Sequence, residues 1–145
     1  MAALQEEVRH QLVTLPYYSV FDWFEGQVNP DGTIMLMGQV TEPRLKNDAE
    51  WRIKRLEGAS KVVNNIEVLP LSGHDDQLRR ALYRAITTSD SPLFKYALQP
   101  VGPIHILVRN GHVTLKGVVA SEADKRLAYI AARGVPGVFD VQNQL

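Results

Sequence analysis

The chain has no cysteine among its 145 residues and no net charge, with 16 basic and 16 acidic side chains. Without thiols there is no disulfide framework, no thiolate nucleophile and no Cys-ligated metal, and nothing about redox compartment follows. Apolar runs are also lacking: none approaches the roughly 20 residues that cross a bilayer. The start of the chain, Met1-Ala2-Ala3-Leu4-Gln5-Glu6-Glu7, has neither the basic region nor the apolar stretch of an export signal. What is present is ordinary globular material, 45% hydrophobic and 22% charged, which argues against disorder.

The balanced total hides an asymmetry. Residues 1–70 hold seven Lys/Arg against ten Asp/Glu and residues 71–145 hold nine against six, so the halves carry 7 − 10 = −3 and 9 − 6 = +3. The second half is therefore the one expected to meet an anionic partner.

An internal repeat organises the chain. Asp31-Gly32-Thr33-Ile34-Met35-Leu36-Met37-Gly38-Gln39-Val40 overlays Asn110-Gly111-His112-Val113-Thr114-Leu115-Lys116-Gly117-Val118-Val119 at an offset of 111 − 32 = 79. The same offset matches Lys46 to Lys125, Ala49 to Ala128, Gly58 to Gly137, Asn64 to Asn143 and Ile66 to Leu145. Upstream, Leu4, Val8 and Leu12 overlay Leu78, Leu82 and Ile86 at an offset of 74. Five residues are thus inserted before the first strand of copy 2, in the stretch Ser89 to Pro103, whose three prolines read as a loop. Two domains follow, 1–70 and 71–145, joined by the turn-like Pro70-Leu71-Ser72-Gly73-His74.

Each copy reads helix, strand, strand, helix, strand. The first helices show i, i+4, i+8 apolar spacing, with Asp75 or Asp76 as the expected cap in copy 2. The second helices start after Thr41, with Pro43 in the first turn, and after Ser121. They end toward Gly58 and the Gly134-Val135-Pro136-Gly137 turn, each followed by a β-branched run such as Lys61 to Val68. Asn110-Gly111 signals a two-residue type I′ hairpin pairing Arg109 with His112 and His105 with Lys116. One face of that hairpin is then Ile104, Ile106, Val108, Val113 and Leu115, beneath helices, and the other is His105, Leu107, Arg109, His112, Thr114 and Lys116, toward water. In copy 1, Asn29-Pro30-Asp31-Gly32-Thr33 suits a three-residue loop with Gly32 left-handed. Phe24, Gly26 and Val28 then share the buried face with Ile34, Leu36 and Gly38, while Phe21, Trp23, Met35 and Met37 form an apolar outer face.

These motifs resemble the BON domain, named for bacterial OsmY and nodulation proteins. The resemblance rests on [Asn/Asp]-Gly-x-Val/Ile-x-Leu-x-Gly-x-Val in the hairpin, then a helix, Gly-Val/Ala and a strand with Val-x-Asn-x-Leu/Ile. Copy 2 follows it as Asn110 to Val119, Gly137-Val138 and Val141-Gln142-Asn143-Gln144-Leu145. Copy 1 follows it more loosely through Asp31-Gly32, Gly38, Val40, Gly58-Ala59 and Val62-Val63-Asn64-Asn65-Ile66. The resemblance implies an α+β fold of two tandem αββαβ modules, each a three-stranded mixed sheet with two helices on one face. It also implies a periplasmic or envelope setting, often under osmotic or envelope stress, and binding of phospholipid or envelope proteins. Members usually carry an export signal, so the chain is expected to be a mature or truncated form, or else a cytoplasmic member.

The residues offer little for catalysis. His105 and His112 lie four residues apart along the hairpin, roughly 13 Å at strand rise, too far to share an ion, and His10 and His74 lack ligand spacing. No serine sits in a Gly-x-Ser-x-Gly elbow, and the acid pairs Glu6/Glu7 and Asp75/Asp76 fall in first helical turns, where the helix dipole favours them. Gly32, Gly38, Gly58, Gly111, Gly117 and Gly137 read as turn and packing glycines because no phosphate-loop Lys-Ser/Thr follows them. Gly134-Val135-Pro136-Gly137 matches the Gly-x-x-Gly of KH RNA-binding loops, but a strand follows and proline removes a donor. RNA binding is a distant alternative, and no nucleic-acid partner, cofactor, metal or enzymatic activity is expected.

Surfaces are the informative feature. His105, Arg109, His112 and Lys116 form a candidate lipid or anion site. Phe21, Trp23, Met35 and Met37 form a candidate apolar interface together with Trp51, which a helical wheel places opposite the stripe Leu45, Ala49, Ile53 and Leu56. The expected function is non-catalytic association with phospholipid or other envelope components, the alternative being a structural or oligomerising module whose partner is a protein.

Overall fold

The computed structural model describes residues 2–99 and 101–145; Met1 and Pro100, both read above, lie outside them. The chain forms two compact units. The first runs to Tyr18 and resumes from Asp22 to Leu69, and the second consists of Ser19–Phe21 and Pro70–Leu145.

In the first unit α1 (Ala2–Val13) precedes the hairpin β1 (Trp23–Val28) and β2 (Thr33–Val40), then α2 (Pro43–Lys54), β3 (Lys61–Asn64) and the short β4 (Glu67–Val68). β1 is antiparallel to β2, while β3 and β4 lie one after the other along the far side of β2, both parallel to it. The expected continuous last strand is interrupted because Asn64 Oδ1 accepts the N–H of Ile66 at 3.2 Å and Asn65 N–H donates to Leu36 O. The hairpin register pairs Val28 with Ile34, Gly26 with Leu36 and Phe24 with Gly38, as the three-residue loop requires. These residues face a core completed by Val8, Leu12, Leu45, Ala49, Ile53 and Ile66.

The second unit repeats this plan. α3 (Gly73–Ile86) and a 3-10 helix (Pro92–Leu98) precede β5 (Ile104–Arg109), β6 (His112–Gly117), α4 (Glu122–Arg133) and β7 (Asp140–Gln144), with the sheet order β5-β6-β7. β6 pairs antiparallel with β5 and parallel with β7. Asn110 and Gly111 both take positive φ, 51° and 82°, which is the type I′ turn expected of Asn-Gly. The core joins Leu78, Leu82 and Ile86 to Ile106, Val108, Val113, Leu115, Ala128 and Ala132.

Repeat-equivalent residues make equivalent bonds. Asn64 and Asn143 donate through Nδ2 to the carbonyls of Lys46 and Lys125, at 3.0 and 2.8 Å, and so fasten each second helix to the last strand. Gln5 and Arg79, 74 apart, both bind the first strand of their sheet: Gln5 to Gly26 O and Val28 N, Arg79 to Val108 O. The backbone N–H groups of Ser60 and Phe139 donate to the carbonyls of Gly32 and Gly111 in the two hairpin turns.

Three local expectations are corrected. Neither Asp75 nor Asp76 caps α3; Ser72 does, its hydroxyl accepting from Asp75 N at 3.1 Å. Asp75 is instead buried, and its two carboxylate oxygens accept the N–H groups of Asn110 and Gly111 at 2.8 and 3.0 Å. The insertion is not bare loop. It forms the 3-10 helix started by Pro92 and capped by Ser91, and it delivers Leu93 to the core. Finally, the insertion before the first strand of copy 2 is six residues and not five: Phe24 aligns with Ile104, an offset of 104 − 24 = 80 against 74 for the helices, because the copy 1 hairpin loop is one residue longer.

Candidate binding surfaces

The candidate anion site of copy 2 is only partly assembled. The register does place Arg109 opposite His112 and His105 opposite Lys116. Arg109 and His112 are exposed and Lys116 is half-buried, but His105 is only 6% exposed and its face-mate Leu107 is buried too, so neither faces water as expected. β5 is an edge strand of its sheet, and the segment Ser19–Phe21 of the same unit lies against it, the N–H of Ile106 donating to Val20 O at 2.7 Å. The unbroken buried run Ile104-His105-Ile106-Leu107-Val108 is the pattern of a strand covered on both faces, and that run was the available signal.

His112 has a partner that hairpin reasoning could not supply. β7 brings Asp140 beside it, with Nδ1 and Oδ1 2.9 Å apart, and the imidazole meets the exposed Phe139 ring edge-on at 4.7 Å. An acid therefore sits within the face read as basic.

On the first unit, Trp23, Met35 and Met37 share the outer sheet face with Glu25, whose carboxylate accepts from Trp23 Nε1 at 2.9 Å. All three are half-buried. Phe21 does not join them. It belongs to the second unit, where its ring packs edge-on against Tyr83 at 6.3 Å beside that unit's core.

The outer face of α2 is differently equipped. Trp51 is 59% exposed, opposite the buried Leu45, Ala49 and Ile53, and the guanidinium of Arg55 lies over its indole at 3.7 Å. At the other end of the helix Arg44 stacks on the exposed Tyr17 ring at 3.5 Å while ion-pairing with Glu42 at 2.9 Å. Tyr17 holds a positive φ of 71°, an uncommon state for a bulky side chain. Behind it, Tyr18 stacks on Phe24, and burial, then the neighbouring Asp22 charge, raises its phenol pKa. The buried Asp22 fixes the entry to α2 by accepting from the N–H and hydroxyl of Thr41 at 2.7 and 2.9 Å. In copy 2 the corresponding N–H, that of Ala120, finds the hydroxyl of Tyr96 in the inserted 3-10 helix at 2.8 Å. Tyr96 in turn donates to Asp124 at 2.6 Å, and Lys95 completes the cluster at 3.1 Å. The Tyr96 and Lys95 hydrogen bonds hold the Asp124 carboxyl below the usual range.

An open groove of about 720 Å³ lies on the first unit between the start of α1, the hairpin loop and the segment after α2. Glu7, Asp31 and Glu57 rim it, and among the described residues no basic side chain lines it, so those residues make no cradle for an anion. Among the described residues no three His, Asp or Glu side chains are grouped to hold a metal ion, and no helix is long and apolar enough to cross a membrane.

The BON family model matches residues 2–70 and again 74–145. The chain belongs to the BON domain family. Its two BON modules account for the paired hairpin glycines and the paired Asn-to-Lys bonds, since both sets recur at the repeat offset. Two solved structures of CdsD, a structural protein of the type III secretion system of Chlamydia trachomatis, are similar at 13% identity and a TM-score of 0.38. One, of the C-terminal domain, is covered over 96% of its length by 99% of this chain, and the other over 90% by 97%. No curated protein matches the chain.

Proposed function

We propose that this tandem BON protein is a non-catalytic, envelope-associated binding protein, periplasmic in setting, whose target is an anionic phospholipid surface. The observation that carries this reading is the outer face of α2, where an exposed tryptophan lies under an arginine. An indole of this kind suits the headgroup level of a bilayer, with its apolar body toward the acyl chains, and the adjacent guanidinium suits a phosphate. Arg109 and Lys116 on the second module would add to the attraction. His112 would add to it only when protonated and not neutralised by Asp140.

Co-sedimentation of the full chain with phosphatidylglycerol and phosphatidylcholine vesicles at two salt concentrations tests this. The expected result is binding to the anionic vesicles, weakened by salt and by Trp51→Ala or Arg55→Ala. Equal partitioning to both vesicle types, or none to either, would overturn the lipid reading and leave a protein partner as the function.

A further inference from the structure

The repeat carries Trp51 onto a second position, 51 + 79 = 130, and Ile130 of α4 is 65% exposed. Its surroundings form a stripe. Ala123, Leu127, Ile130 and Arg133 are all exposed and follow one another at spacings of four, three and three, and the exposed Arg126 lies three residues after Ala123 and four before Ile130, which places them on one side of the helix. The opposite side supplies the buried Ala128 and Ala132. α4 is therefore apolar on two faces, and only one of them is used by the core.

Charge says what the other face fits. Lys125, Arg126 and Arg133 stand along the helix against a single exposed acid, Glu122, because Asp124 is buried and held by Lys95 and Tyr96. Arg133 is kept beside the stripe by its hydrogen bond to the Tyr129 hydroxyl at 2.9 Å. A shallow, mostly apolar hollow of about 340 Å³ continues the surface between Tyr129, Ile130, Lys125 and Asn143. An apolar stripe edged with cations is the composition of a helix that lies in an interface plane, with aliphatic side chains inserted and guanidiniums at phosphate depth.

We infer that the outer face of α4 is a second membrane contact, in which Leu127 and Ile130 enter an anionic bilayer between Arg126 and Arg133. This rests on the lipid reading of the chain and names the site in the second module that performs it. The two modules thus use the same position of the repeat for the same task, an indole in one and a branched aliphatic side chain in the other.

The full chain, Ile130→Ser and Arg126→Glu/Arg133→Glu would be titrated with phosphatidylglycerol vesicles. Each variant is expected to bind at least roughly tenfold more weakly than the parent, with unchanged melting because the altered side chains are exposed. Ile130→Trp in a Trp23→Phe/Trp51→Phe background supplies a second readout, a blue shift of its emission on adding the same vesicles. If the parent chain binds and Ile130→Trp does not shift while both α4 variants bind like the parent, the α4 site is wrong and the lipid reading stands. Failure of the parent chain to bind overturns both.

Discussion

At the scale of single residues, the repeat is enforced by places where only one side chain fits. Gly38, two residues before the end of β2, and Gly117, the last residue of β6, stand at φ 125° and 133°, and a β-carbon there would come within 1.9 Å of Trp23 O and 1.8 Å of Pro103 O. Backbone atoms cannot step aside as a flexible side chain can. Gly117→Ala is therefore expected to destabilise the protein by about 2 kcal/mol or more, from a strained φ and a main-chain collision together. Gly73, at the start of α3, meets nothing within 4 Å, so Gly73→Ala should be neutral or stabilise by up to about 1 kcal/mol. Urea denaturation of the two variants compares them directly. Asp124 gives a residue-level prediction in pH. Its folded pKa is depressed, first by the Tyr96 hydrogen bond, so its contribution is present above the unfolded value of about 3.9 and is lost as pH falls through the folded one. Tyr96→Phe should raise the Asp124 pKa in an NMR titration and move acid unfolding to higher pH. An unchanged Asp124 titration would show that Lys95 alone sets it.

At the scale of elements, each module depends on ties from helix to hairpin more than on helix propensity. Asp75 is the strongest of them, a buried carboxylate in the first turn of α3 that receives two consecutive amides of the β5-β6 turn. Asp75→Ala would leave both N–H groups without that acceptor, and a loss of about 1–3 kcal/mol is expected, with faster amide exchange at Gly111. Arg79 is a weaker tie per atom. It reaches Val108 O and Asp76, but its Nε has no partner while buried, which offsets part of the gain. Gln5 does the corresponding work in the first module without a charge. The faces of both hairpins were legible beforehand because Asn110-Gly111 and Pro30-Asp31-Gly32 each admit few turn geometries, and a turn fixes register. Asp75 was misread as a cap because a cap is a local pattern, whereas its bonds to Asn110 and Gly111 span 35 and 36 residues.

At the scale of the whole molecule, the constant offset made two modules visible, and it worked because the paired residues do paired jobs, as Asn64 and Asn143 show. Alternation along a strand separates two faces but does not say which of them is covered. For that reason His105 was assigned to water although β5 is buried throughout Ile104 to Val108. Trp51 was placed correctly on its helix because the period alone locates the side opposite Leu45, Ala49 and Ile53. Nothing in the repeat foretells Ser19–Phe21, since it lies between the aligned blocks and joins a unit whose remainder starts at Pro70. The consequence can be measured. Val20 O receives the amide of β5 residue Ile106, and Phe21 packs on Tyr83 of α3, so this segment should contribute to the second unit's stability. Phe21→Ala in the full chain should lose up to about 3 kcal/mol, less than a fully buried phenylalanine would because the ring is half-buried. Hydrogen exchange should quicken at Ile106 and in the second unit, while amides such as Leu36 and Val40 in the first keep their protection. Equal loss of protection in both units would mean that Phe21 holds the fold as a single cooperative body. No loss in either would mean that β5 is stable without this segment, and that its outer edge is open to another partner.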